Sequence, residues 1–210
     1  KGRNDLAEHK QPYAKNHEPI GDFHSAVRTI KPTAIIGVAA VGGTFTRDVL
    51  EEMARINTRP IVFALSNPTS KSECTAEQAY QWTGGRALFA SGSPFDPVKV
   101  EGQTFVPRQG NNSYIFPGVG LGAIVSKAQR VTDDMFMAAA RILAERVDDA
   151  DLAQGSLYPA LSRIREVSAA IAAAVAESAY ASGIAGKPRP ADVLADVQSQ
   201  MYDPRYSSYV

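Results

Sequence analysis

Through the first half of the chain, short unbroken apolar runs alternate with stretches of helical period, which predicts a parallel sheet wound by helices. Phe23, Val27 and Ile30 recur at helical spacing ahead of Pro32, which stops the helix. Ala34-Ile35-Ile36-Gly37-Val38 then runs apolar without a break, as a strand buried on both faces does. Thr46 is placed to cap a helix reaching residue 56, with Val49, Leu50 and Met53 inward and Asp48, Glu51 and Glu52 in its first turns, where acids favour the helix dipole. Residues 60–65 predict a second buried strand that ends in Ser66-Asn67-Pro68. Thr75 with Gln78 predicts a capping box and a helix to residue 82. Ala87-Leu88-Phe89-Ala90 predicts a third strand ending in a polar turn over 91–94, and residues 98–100 and 104–106 are expected to form a hairpin around Glu101-Gly102.

Beyond the hairpin, Gly110-Asn111-Asn112 leads into Tyr114-Ile115-Phe116, expected to be the last strand, and then into a helix over 117–129 with Pro in its first turn. Gly118, Gly120 and Gly122 on alternate positions imply close packing against a neighbouring backbone or a ligand. From Thr132 the pattern is helical only. A helix to residue 147 precedes a long Ala-rich one over 164–184 with Ile164, Val167, Ile171 and Val175 along one stripe, and a short helix is expected within 191–200.

The chain's 210 residues suffice for one good core, read as one domain with a terminal extension. Lys plus Arg and Asp plus Glu both number 22, a zero balance that argues against nucleic acid or a membrane surface as partner and toward a small molecule. Cys74 is the only cysteine, which excludes an internal disulfide or a multi-cysteine metal site and fits a reducing compartment. The apolar stretches fall short of the roughly 18 residues of a spanning helix and no signal-peptide pattern opens the chain, so a cytoplasmic protein is expected. Lys1 in place of Met implies a processed chain or the later part of a longer one.

The candidate chemistry lies where strands run out. Asn67, Asn111 and Asn112 each carry an acceptor and two donors, and ligands of open α/β sheets bind beyond the carboxyl ends of the strands. Asn also serves as a plain turn residue, so that reading stands beside it. The loop from Gly37 to Gly43 lacks the spacing of a pyrophosphate turn and reads instead as a tight strand end that lets backbone approach a flat ring or a ribose. His9, His17 and His24 match no zinc spacing, and without a later histidine or a nucleophile elbow hydrolase chemistry is not expected.

Gly37-Val38-Ala39-Ala40 followed by Gly42-Gly43, the run over 63–73 with Cys74 after it, Ala90-Ser91-Gly92-Ser93-Pro94-Phe95, and Gln109-Gly110-Asn111-Asn112-Ser113-Tyr114 with Phe116-Pro117-Gly118 together resemble the malic enzymes. Gly155-Ser156-Leu157-Tyr158-Pro159 and Ile164-Arg165-Glu166-Val167-Ser168 extend the resemblance along the chain. It implies the later half of a doubly wound Rossmann-like sheet over 1–130, a helical C-terminal region over 131–210, and a homo-oligomer. It further implies oxidative decarboxylation of L-malate to pyruvate and carbon dioxide with NADP or NAD and a Mg or Mn ion. Asn67, Asn111 and Asn112 match the family's asparagines for the malate carboxylate and the nicotinamide ribose, and Val38, Ala39 and Ala40 match the loop beside the cofactor. Lys10 falls near the lysine that NADP-preferring members use for the 2′-phosphate, with a solvated loop lysine as the alternative. The family's acid, base and metal ligands lie upstream of these residues, so no metal ligand is expected here and Lys31, Tyr80 and Tyr114 read as structural. The alternatives are a non-catalytic packing or assembly module and, more distantly, an amino-acid dehydrogenase.

Overall fold

The computed structural model describes residues 5–203. Strands β1 (Ala34–Gly37), β2 (Ile61–Ala64), β3 (Leu88–Ser91) and β6 (Arg108–Gln109) follow one another, all parallel, across one sheet, while β4 (Val98–Val100) and β5 (Gln103–Phe105) form the antiparallel hairpin. Helices α1 (Phe23–Ile30), α2 (Arg47–Ile56) and α3 (Ala76–Trp82) precede or connect the first three strands. Local chemistry fixes their ends. Asp22 accepts the Ser25 amide at the start of α1, and Thr75 and Gln78 exchange both bonds of the expected capping box at 3.1 and 3.0 Å. Thr46 stands at the N-cap of α2, but its side chain makes no capping bond.

Ile35, Val62, Ala64 and Phe89 point to the face that carries the helices, where they pack with Val49, Leu50, Met53, Ala79 and Tyr80. Leu50 and Met53 are fully buried, each contributing about 1.5–3 kcal/mol of apolar burial. On the opposite face the described residues cover the strands unevenly: Ile36 on β1 is 60% exposed, Phe63 on β2 is half-buried and Ala90 on β3 is fully buried, the covering residues lying on the β3 side. There Tyr158 lies 6.5 Å from Phe63, ring centre to ring centre.

Tyr114-Ile115-Phe116 is not the last strand. That role falls to β6, and residues 112–114 form a single 3-10 turn that runs into α4 (Phe116–Ser126). Asn111 nucleates the turn, its side chain accepting the Ser113 amide while its carbonyl accepts the Tyr114 amide, and Tyr114 turns inward to stack on Tyr158.

The remaining helices are α5 (Asp133–Glu145), α6 (Asp149–Ala153), which the periodicity did not reveal, α7 (Ile164–Ala181) and α8 (Val193–Ser199). A second core joins Tyr114 and Val119 to Met135, Ala139, Val167, Ile171 and Val175. The apolar contacts of α4 lie with the C-terminal helices. Gly118 and Gly122 make that contact. A Cβ on Gly122 would sit 2.5 Å from the Ala172 carbonyl oxygen and one on Gly118 2.6 Å from Ile171, whereas nothing lies within 4 Å of one on Gly120.

Candidate functional site

The parallel ladder continues one residue past the strands and then opens. Leu65 donates to the Gly37 carbonyl, Gly92 to Ala64 and Gly110 to Ser91, so the loops after β1, β2, β3 and β6 emerge side by side on one rim.

In the first loop Val38, Ala39 and Ala40 are all exposed. Ala40 has φ 55°, a left-handed backbone that costs a residue with a Cβ about 1–2 kcal/mol. Its amide donates to the Ser66 hydroxyl at 2.9 Å, and that hydroxyl donates in turn to Oε1 of Glu73. The Ser66 amide approaches the other carboxylate oxygen at 3.4 Å. Two backbone bonds, Gly43 to Ser72 and Phe45 to the Glu73 carbonyl, join the first loop to the segment after Pro68. Gly37 is required where it stands, since a Cβ there would lie 2.3 Å from the Glu73 carboxyl carbon.

Asn67 is exposed and precedes a cis proline. Its Oδ1 accepts the Ser93 hydroxyl at 2.7 Å and its Nδ2 reaches back to the Leu65 carbonyl at 3.4 Å, which holds the carboxamide above Gly92. Asn111 and Asn112 are exposed at the mouth of a cavity of about 430 Å³ whose walls include Phe63, Ile115, Leu143 and Tyr158. Burial pushes the Tyr158 phenol up from its ordinary value, keeping it a neutral donor or acceptor at the wall. Leu65 links the two Asn loops: its carbonyl meets the position above Gly92 beside Asn67, and its side chain meets the position above Gly110 beside Asn111. The rim therefore carries Val38, Ala39, Ala40, Asn67, Asn111 and Asn112.

Lys10 is exposed on the segment ahead of α1. Its 3-10 helix, Glu8–Tyr13, has no buried residue, and the following segment lines a cavity with Ile30, at the opposite end of α1 from Phe23, which stacks on Phe45 of the rim loop. Lys31 is the left-handed cap of α1, Tyr80 is buried, and the Tyr114 hydroxyl donates to the Pro159 carbonyl, all structural positions. No group of three or more His, Cys, Asp or Glu able to hold a metal ion occurs among the described residues.

Sequence reasoning missed Glu73, the Ser66 hydroxyl, Ser93 and Tyr158. The one signal for Glu73 was an acid ahead of Cys74-Thr75-Ala76, in a segment whose burial depends on contacts far along the chain.

Fold and rim together define an open parallel α/β protein with a polar edge of carboxamides and an exposed apolar loop. Comparison with known proteins narrows this class. The family described as "Malic enzyme, NAD binding domain" matches residues 1–180, and the chain belongs to it. NADP-dependent malic enzyme 1 of Arabidopsis thaliana is 53% identical over 208 residues, covering 99% of this chain and 36% of its own, and the chloroplastic NADP-dependent malic enzyme of Zea mays is 52% identical over 201 residues, covering 95% and 32%. The chain thus spans about a third of the length of these relatives. Among solved structures, the malic enzyme from Pyrococcus horikoshii Ot3 superposes with a TM-score of 0.60 at 28% identity over 80% of this chain and 34% of its own. The Entamoeba histolytica malic enzyme gives a TM-score of 0.63 at 26% identity over 80% and 32%.

Proposed function

We propose that this chain supplies the later half of the active site of an NADP-preferring malic enzyme, which converts L-malate to pyruvate and carbon dioxide with a divalent metal held elsewhere in the complete protein. The observation that carries the reading is the convergence of the strand-end loops, which sets the carboxamides of Asn67 and Asn111–Asn112 and the exposed Val38–Ala40 loop on one rim. A carboxamide orients a carboxylate or a ribose hydroxyl without adding a charge that would compete with the metal. Asn67 is preorganised for this, since Ser93 and Leu65 fix its plane, and a positioned amide needs no reordering when ligand arrives. Val38, 73% exposed, and Val41, 54% exposed, offer an apolar surface on which a flat ring rests while Asn67, Asn111 or Asn112 holds the attached sugar or the substrate. A nicotinamide held there would supply the acceptor for the hydride that leaves malate. The preference for NADP rests on the relatives named for it. Ile36, exposed on β1, which has one strand neighbour among the described residues, favours pairing with further protein, in keeping with an oligomer.

Replacing Asn67 by Ala in the complete enzyme removes one or two hydrogen bonds to charged or polar ligand atoms. A loss of about 1.5–3 kcal/mol, roughly 10- to 150-fold in kcat/KM for malate, is expected. Unchanged kcat and KM for both malate and NADP would remove Asn67 from the site.

A further inference from the structure

Glu73 is 1% exposed, and the ion pairs of the described residues do not include it. A buried acid without a cation is costly, and it persists where hydrogen bonds hold it. Among the described residues those bonds come from Ser66, through its hydroxyl and its amide. Having given its only hydrogen to Glu73, the Ser66 hydroxyl must present a lone pair outward, and the Ala40 amide occupies it. A chain of donors thus runs from Ala40 through Ser66 to Glu73, each bond polarising the next. Its outer end is the left-handed residue of the candidate cofactor loop.

We infer that Glu73 is a positioning residue of this site: acting through Ser66, it holds Ala40 in its left-handed conformation and so shapes the surface of residues 38–40 that the nicotinamide cofactor meets. This rests on the placement of the cofactor under the proposed function. Only a group accepting at both oxygens satisfies the arrangement. Glu73→Gln puts an NH2 against either the Ser66 hydroxyl or the Ser66 amide. In the first case the Ser66 hydroxyl becomes an acceptor twice over, and in the second two donors face each other. Ser66→Ala removes the middle of the chain while sparing the acid.

The test uses the complete enzyme, with Glu73→Gln, Ser66→Ala and the double variant. Hydrogen exchange of the peptide spanning 37–45, followed by mass spectrometry without ligand, reads the relay itself. At least tenfold faster exchange of the Ala40 amide is expected in each variant. Steady-state kinetics on the folded fraction read its consequence: KM for NADP rising about tenfold in both single variants and no further in the double, with KM for malate changed less. Exchange unchanged in both single variants overturns the relay, as does a double variant whose effects multiply. Faster exchange with an unaltered KM for NADP keeps the relay but overturns its role toward the cofactor, and with it the placement of the cofactor on residues 38–40. Should Glu73→Gln fail to fold, Ser66→Ala alone decides both readouts.

Discussion

Gly120 and Gly122 lie on one helix two residues apart, and the structure gives Ala opposite effects at the two positions. Both substitutions gain the same helix-propensity term, about 0.8–1 kcal/mol. At Gly120 a Cβ meets nothing within 4 Å, so that gain stands alone. At Gly122 it would lie 2.5 Å from the Ala172 carbonyl oxygen and 2.8 Å from the Val175 Cβ. Reaching an ordinary contact requires α4 and α7 to part by about 1 Å, and neither partner is a side-chain end that can swing away. Overpacking of this kind costs about 1–3 kcal/mol, with the upper half applying because a fully buried backbone must move. The two variants should therefore differ by about 2–3 kcal/mol, with Gly122→Ala melting below Gly120→Ala. Thermal unfolding of the complete protein, followed by circular dichroism, measures the gap. Gly122→Ala melting with or above Gly120→Ala would refute the packing argument. Because α4 begins just after Asn111 and Asn112, the same displacement should also raise KM for malate in Gly122→Ala and leave it unchanged in Gly120→Ala.

Two further outcomes follow from buried groups. Tyr80→Phe keeps the stack on Phe105 and removes a buried hydroxyl that has no hydrogen-bond partner among the described residues, so stability in urea should rise by about 1 kcal/mol; a fall would show that the hydroxyl is satisfied after all. Burial, with the Glu73 charge adding to it, pushes the Cys74 thiol up to about 12 from 9.0, so iodoacetamide should leave folded protein unlabelled at mildly alkaline pH and label it on unfolding. The folded value is the higher one, so this stabilisation is whole below pH 9 and is lost as pH rises through about 12; labelling of folded protein near pH 9 would contradict it.

Much of the architecture was legible because it is local. The unbroken runs at 34–38, 60–65 and 87–90, the Thr75–Gln78 cap and the hairpin at Glu101-Gly102 each state their geometry within a few residues, and the structure follows them closely. Tyr114-Ile115-Phe116 misled because three apolar residues have no period of their own; the Asn111 side chain ahead of them closed a turn instead. The site was half legible. Asn residues after strand ends announced the rim, whereas Glu73, Ser93 and Tyr158 join it through contacts that only the fold makes. The three glycines of α4 looked alike in sequence and divide only once α7 lies against two of them.

The convergence of the carboxamides on a ligand is the claim on which the functional reading depends. A crystal structure of the complete enzyme with NADP and an unreactive dicarboxylate analogue of malate tests it directly. The account predicts Asn67 and one of Asn111 or Asn112 within about 3 Å of ligand oxygens, with residues 38–40 against the nicotinamide. Both ligands ordered elsewhere, with these side chains turned to solvent, would contradict it.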